Sequence, residues 1–165
     1  MKPAALIATV GGVGYLRPAP GTWGSLVALP LGWCLHAAGG FPLLACATVL
    51  VFAAGTWATA EMTRGSSDHD PSEIVIDEVV GQFIAIWALS WPAWRHGIDI
   101  SALWPGWIAA FGLFRLFDIL KPGPIGWADR RGDPLGVMLD DVIAGVFAAI
   151  GVALLAGLAH GLLGV

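Results

Sequence analysis

The chain of 165 residues is 57% apolar and only 12% charged, with a mean hydropathy of +0.77, whereas a water-soluble domain carries about a quarter charged residues. That balance excludes intrinsic disorder, a basic nucleic-acid-binding module and a small disulfide scaffold, and the length allows one membrane-embedded domain over 1–165. The net charge of −4, from 8 Lys and Arg against 12 Asp and Glu, says less than where those charges fall.

Residues 4–16 form the first apolar run, too short to cross about 30 Å of hydrocarbon and interrupted by Gly11, Gly12 and Gly14. It reads as an interfacial or re-entrant segment. A signal peptide is not expected, because the basic leader is thin and Arg17-Pro18-Ala19-Pro20 stands where a small-residue cleavage site belongs. Spans are predicted over 24–40, 42–60, 78–92, 101–117 and 142–163, giving an all-α integral membrane bundle of about five transmembrane helices. Pro20-Gly21-Thr22-Trp23-Gly24-Ser25-Leu26 opens the first of them. Its amides, with the Thr22 and Ser25 hydroxyls, suit a phosphate cradle, and the same hydroxyls suit ordinary N-caps. Cys34 and Cys46 lie inside apolar stretches without metal or redox spacing and are expected as small buried hydrophobes.

The second span leads into Asp68-His69-Asp70-Pro71-Ser72-Glu73-Ile74-Val75-Ile76-Asp77-Glu78. If the stretch from Glu73 is already helical, Glu73 and Asp77 stand one turn apart on one face, and Asp77 and Glu78 open the third span. Oxygen-rich ligands so spaced suit Mg²⁺ or Mn²⁺; acids at a helix N-terminus also complement the helix dipole. His69 reads either as a ligand or proton donor or as a solvated loop residue. The third span ends in Trp91, Pro92 and Trp94, which with Trp104 make an aromatic belt on the far side.

Asp118 closes the fourth span, the wrong end for an anion by dipole logic, with Arg115 and Lys121 at i−3 and i+3. A structural ion pair accounts for these three; so does a site in which Asp118 holds metal and Arg115 and Lys121 clamp a phosphoryl group. The run Asp129, Arg130, Arg131, Asp133 reads as a solvated loop. Asp140 and Asp141 stand at the start of the fifth span, where Gly145 and Ala149 form a small-residue face that lets helices approach closely.

Five spans divide the connecting segments between two sides. Lys2, Arg17, Arg64, Lys121, Arg130 and Arg131 fall on one side and Arg95 on the other, so the positive-inside rule places the first side, with the N-terminus, in the cytoplasm and the C-terminus outside. Eleven of the twelve carboxylates, all but Asp99, sort to that same side. Crowded carboxylates beside a low-dielectric core repel one another unless a cation is present, which points to a hard-cation site. No Cys-x5-Arg loop, Gly-x-Ser-x-Gly elbow or Walker A signature occurs.

Taken in order, Pro-Gly-Thr-x-Gly-Ser-Leu at 20–26, His-Asp then Ile-Val-x-Asp-Glu within 69–78, Phe-Arg-x-x-Asp-x-x-Lys-Pro-x-Pro-Ile at 114–125 and Asp-Asp-x-x-Ala-Gly at 140–145 resemble the motifs of the phosphatidylglycerophosphatase A family over about residues 17–150. The resemblance implies a small Mg²⁺-dependent protein of the bacterial cytoplasmic (inner) membrane that removes the terminal phosphate of phosphatidylglycerophosphate in phospholipid biosynthesis. It implies Asp77, Glu78, Asp118, Asp140 and Asp141 as metal ligands, with Asp70 also eligible, and Arg115 and Lys121 as phosphate-binding residues. Thr22, Ser25 and His69 join the substrate-binding candidates, and Asp70, Glu73, Asp77 and Asp118 the catalytic ones, with Asp70 or Glu73 as general base. The nucleophile is a metal-activated water or an aspartate. Asp77→Asn is expected to abolish turnover without preventing insertion. No protein partner or nucleic acid is implied. The alternative from another class is a small divalent-cation or anion transporter with an acidic cytoplasmic mouth, against which stands the scarcity of ionisable groups inside the spans.

Overall fold

The computed structural model describes residues 2–163, built as helices α1 (Pro3–Ala8), α2 (Pro20–Thr63), α3 (Ile76–His96), α4 (Trp104–Leu120), α5 (Pro124–Asp129) and α6 (Pro134–Leu163), with 3-10 turns at Val13–Tyr15 and Ile100–Leu103. The class is the expected all-α membrane bundle.

α2 is 44 residues long but is not one rod. Gly39 and Gly40 leave helical geometry, Gly40 at φ 64° and ψ −160°, a conformation that glycine adopts without penalty. Side-chain contacts trace the path on either side. Ser25 meets Glu78 at the start of α3 and His36 meets Ser90 farther along it. Gly40 abuts Trp94 near the end of α3, after which Thr48 meets Trp87 and Gly55 meets Ile76. α2 therefore climbs along α3, reverses at the glycine pair and descends.

Among the described residues, three helical stretches are long and apolar enough to cross a membrane: Pro20–Thr63, Ile100–Leu120 and Pro134–Gly161. The expected count of about five is corrected accordingly. The runs 24–40 and 42–60 are the two arms of one folded helix. The run 78–92 belongs to α3, which at 21 residues is long enough but not sufficiently apolar, since it carries Asp77, Glu78, Gln82 and Ser90 inward. α3 is the central post. Most of its residues are buried, and it packs against α2, α4 and α6.

Large apolar side chains such as Leu50, Ile108, Ile119, Ile150 and Leu154 point outward all round the bundle, the inverse of a soluble fold. Between helices already in lipid, close packing takes over from water exclusion as the cohesive force. The α3–α6 crossing illustrates it. A Cβ on Gly145 would strike the Gly81 carbonyl oxygen and sit 3.0 Å from its Cα, and a Cβ on Gly81 would lie 2.7 Å from the Asp141 carbonyl. Alongside Gly145 the buried small residues of α6 are Ala144 and Ala148; Ala149 is only partly buried, so the expected Gly145–Ala149 face is shifted by one position. Cys34 and Cys46 are exposed on the apolar outer surface instead of buried.

α1 and the following turn tuck against α2, with Ala4, Ala8 and Thr9 buried and the Ala8 carbonyl accepting from the Val75 amide at 2.9 Å. α6 begins at Pro134, eight residues before the predicted 142. Asp133 caps it by accepting the Gly136 amide at 2.6 Å, with Pro134 in the first helical position. Asp140 and Asp141 therefore lie well inside α6 and not at its start.

Candidate active site

The start of α2, the start of α3, the end of α4, α5 and the first turns of α6 meet at one end of the bundle. There an open cavity of about 280 Å³ is lined by Asp70, Asp77, Glu78, Arg115, Asp118, Lys121, Asp140 and Asp141, with Ala19, Pro20, Gly21, Ser72 and Ile74 completing the wall. Close glycine contacts bring these residues together. The Gly81–Gly145 crossing sets Glu78 beside Asp141, and Gly21 leaves room for the Glu78 carboxylate, which a Cβ there would strike.

Glu78, Asp118 and Asp141 form the tightest group, offering carboxylate oxygens that lie within 4.8 Å of one another. Arg115 links two of them: its Nη1 pairs with Glu78 Oε2 and lies 2.8 Å from Asp118 Oδ2. Buried Ser25 lies 2.9 Å from the Gly21 carbonyl and 3.2 Å from Glu78 Oε2 through its hydroxyl, so that hydroxyl is committed to the carboxylate wall.

Lys121 ends α4 in a left-handed conformation, φ 46°, which turns the chain sharply into Pro122 and Gly123. Its ammonium pairs with Asp129 and donates to Asp140 Oδ2 at 2.8 Å. Burial works against the charge, but the hydrogen bonds to Asp129 and Asp140 outweigh it and hold the ammonium above the usual lysine range. The i+3 spacing from Asp118 does not produce a Lys121–Asp118 pair. The carboxylate partners of Lys121 are Asp140 and Asp129, the latter presented by the sequence as part of a loop.

Asp77 is buried and lines the cavity, with its Oδ1 accepting the Glu78 amide at 2.9 Å. Asp70 stands at the rim, its amide bonded to Asp68 Oδ1 at 3.1 Å. Glu73 lies in the turn before α3, where the Ile74 amide reaches the Pro71 carbonyl. The helix starts at Ile76, so the one-turn pairing of Glu73 with Asp77 is not formed. Glu73, His69 and Thr22 are not among the lining residues.

The residues fit a hard divalent cation. The closest ligands are all carboxylate oxygens, the donors such ions select, and six lining carboxylates face only two basic side chains, Arg115 and Lys121. A site of this composition can bind a cation together with a phosphate, the cation and the basic side chains sharing the anion's charge.

A family profile described as phosphatidylglycerophosphatase A matches residues 6–156. The chain is 40% identical over 152 residues to the phosphatidylglycerophosphatase A of Haemophilus influenzae, covering 91% of this chain and 86% of that protein. It is 34% identical over 150 residues to the phosphatidylglycerophosphatase A of Escherichia coli, covering 90% and 80%. A relative from Bacteroides thetaiotaomicron, 38% identical over 152 residues and covering 90% of each chain, is named provisionally as a phosphatidylinositol-3-phosphatase. No solved structure matches the chain.

Proposed function

The chain belongs to the phosphatidylglycerophosphatase A family, and from that premise we propose that it hydrolyses phosphatidylglycerophosphate to phosphatidylglycerol and inorganic phosphate, as a Mg²⁺-dependent step of phospholipid biosynthesis at the cytoplasmic face of the inner membrane. One observation carries the reading: the Glu78, Asp118 and Asp141 carboxylates converge beside Arg115 and Lys121 at one end of a small bundle of membrane-spanning helices. The basic residues Lys2, Arg17, Arg64, Arg130 and Arg131 belong to the same end and Arg95 to the other, which favours a cytoplasmic site.

Glu78, Asp118 and Asp141 would hold the metal, with Asp77 and Asp140 close by. Mg²⁺ supplies charge neutralisation at the phosphomonoester and makes nearby water a better nucleophile. The chain's own residues do the rest. The Arg115 contacts to Glu78, Asp118 and Ser25 all run through Nη1, which leaves Nη2 to bind a phosphoryl oxygen. Lys121, already charged and held at the wall by Asp140, binds another. Asp70 at the rim takes the proton of the attacking water. The bond between phosphorus and the glycerol oxygen breaks as the water oxygen bonds phosphorus; the departing glycerol oxygen takes a proton from solvent, and Asp70 releases its own to solvent.

The test is phosphate release from phosphatidylglycerophosphate by detergent-purified protein, with Mg²⁺ and then with excess EDTA. Phosphatidic acid and phosphatidylinositol 3-phosphate serve as competing substrates. Release that needs Mg²⁺ and favours the first lipid is expected. No release by folded, metal-supplied protein overturns the reading and brings the cation- or anion-transporter alternative forward.

A further inference from the structure

Gln82 has 0% exposure, and neither atom of its amide has a hydrogen-bond partner. Leaving such a group buried and unbonded is costly, so an apolar side chain of equal size is the more stable choice. Three further buried atoms among the described residues are in the same condition: Thr59 Oγ1, and two that belong to the site, Arg115 Nε and Asp141 Oδ1.

Helix geometry aims Gln82 toward the two site atoms. Gln82 is one turn beyond Glu78 on the same face of α3, and a helical side chain leans back over the turn before it, here the turn that carries Glu78. The adjacent Gly81 packs on the ring of Phe114, the residue before Arg115, and on the backbone of Asp141. Their needs are complementary. Arg115 Nε–H lacks an acceptor and Asp141 Oδ1 lacks a donor, while one glutamine amide supplies an acceptor and two donors.

We propose that Gln82 is a positioning residue of the carboxylate site. Its amide links Arg115 Nε to Asp141 Oδ1 through one ordered water on each side, and so orients the Asp141 carboxylate toward a divalent cation and the guanidinium toward the phosphoryl group. Water can make such links wherever two or more polar partners converge. The inference rests on the metal-dependent reading of the site and adds a residue to it. Partners that orient a metal ligand without touching the ion commonly affect metal affinity by 10- to 100-fold.

The experiment measures Mn²⁺ binding by electron paramagnetic resonance, and the thermal midpoint, on detergent-purified wild type, Gln82→Met and Gln82→Asn. Met conserves volume and removes both polar groups; Asn keeps them one methylene short. Mn²⁺ affinity is expected to fall about 10- to 100-fold in Gln82→Met and less in Gln82→Asn, with an unchanged or higher midpoint in the Met variant. Wild-type affinity in Gln82→Met overturns the proposal, as does an affinity loss that tracks a fall in the midpoint. If the Met variant does not accumulate, wild-type affinity in Gln82→Asn has the same force. Failure of the wild type to bind Mn²⁺ is a different result: it removes the metal-dependent reading, and this inference with it.

Discussion

In the proposed reaction Arg115 combines two duties that a lysine cannot share. Its Nη1 reaches Glu78, Ser25 and Asp118 while the rest of the guanidinium remains to meet an anion, and only the planar fork with five donors allows both. Arg115→Lys is expected to lower turnover of phosphatidylglycerophosphate by about 10²- to 10³-fold, the usual loss when one charge-stabilising donor is removed. Steady-state phosphate release by purified variant and wild type checks it. Asp133 works on stability. Its hydrogen bond with Arg131, together with the Gly136 amide, holds its carboxyl below the usual carboxylate range. A depressed folded-state pKa adds stability that is complete above the unfolded value near 4 and is lost as pH falls through the lower folded value. Asp133→Ala is expected to cost about 0.5–2 kcal/mol at pH 7. That difference should shrink as pH falls below about 4, as a thermal-unfolding series in detergent against pH will show.

The α3–α6 crossing is where an element, as opposed to a side chain, decides the site. Gly81 and Gly145 allow backbone-to-backbone approach, and that approach carries Glu78 and Asp141 to within ligand distance of one another. A methyl at 145 would have to displace the α3 backbone, which has no rotamer through which to yield. Gly145→Ala is expected to destabilise the bundle by about 1–3 kcal/mol and to weaken Mn²⁺ binding. A variant with wild-type midpoint and affinity would show that the crossing tolerates separation. The α6 boundary teaches a related lesson. Asp133-Pro134 has the makings of a cap followed by a first-turn proline, yet beside Arg130 and Arg131 it reads as a charged loop.

Across the whole molecule, the chemistry is gathered at one end and the aromatic side chains Trp91, Trp94 and Trp104 lie at the other, all exposed. With a cytoplasmic site, a membrane-impermeant maleimide applied outside intact cells should label Ile98→Cys and not Ser67→Cys, each in a background with Cys34 and Cys46 replaced. The reverse pattern would invert the orientation. Both positions are exposed in loops at opposite ends of α3.

Much of this was legible in the order of residues alone. Composition dictates the membrane class, because a chain so apolar cannot satisfy its surface in water. The four motifs dictate the family and name the residues that line the cavity, among them Glu78, Asp118, Asp141, Arg115 and Lys121. The tertiary structure decided which of them meet. It joined Glu78, Asp118 and Asp141 into one group, gave Lys121 to Asp129 and Asp140, left Glu73 in a turn, folded α2 back at Gly39–Gly40 and buried Gln82 with no partner for its amide. Residue type and local spacing are properties of a segment, whereas these pairings depend on how closely separate helices approach, and that distance is set by small residues whose partners lie dozens of positions away in the chain.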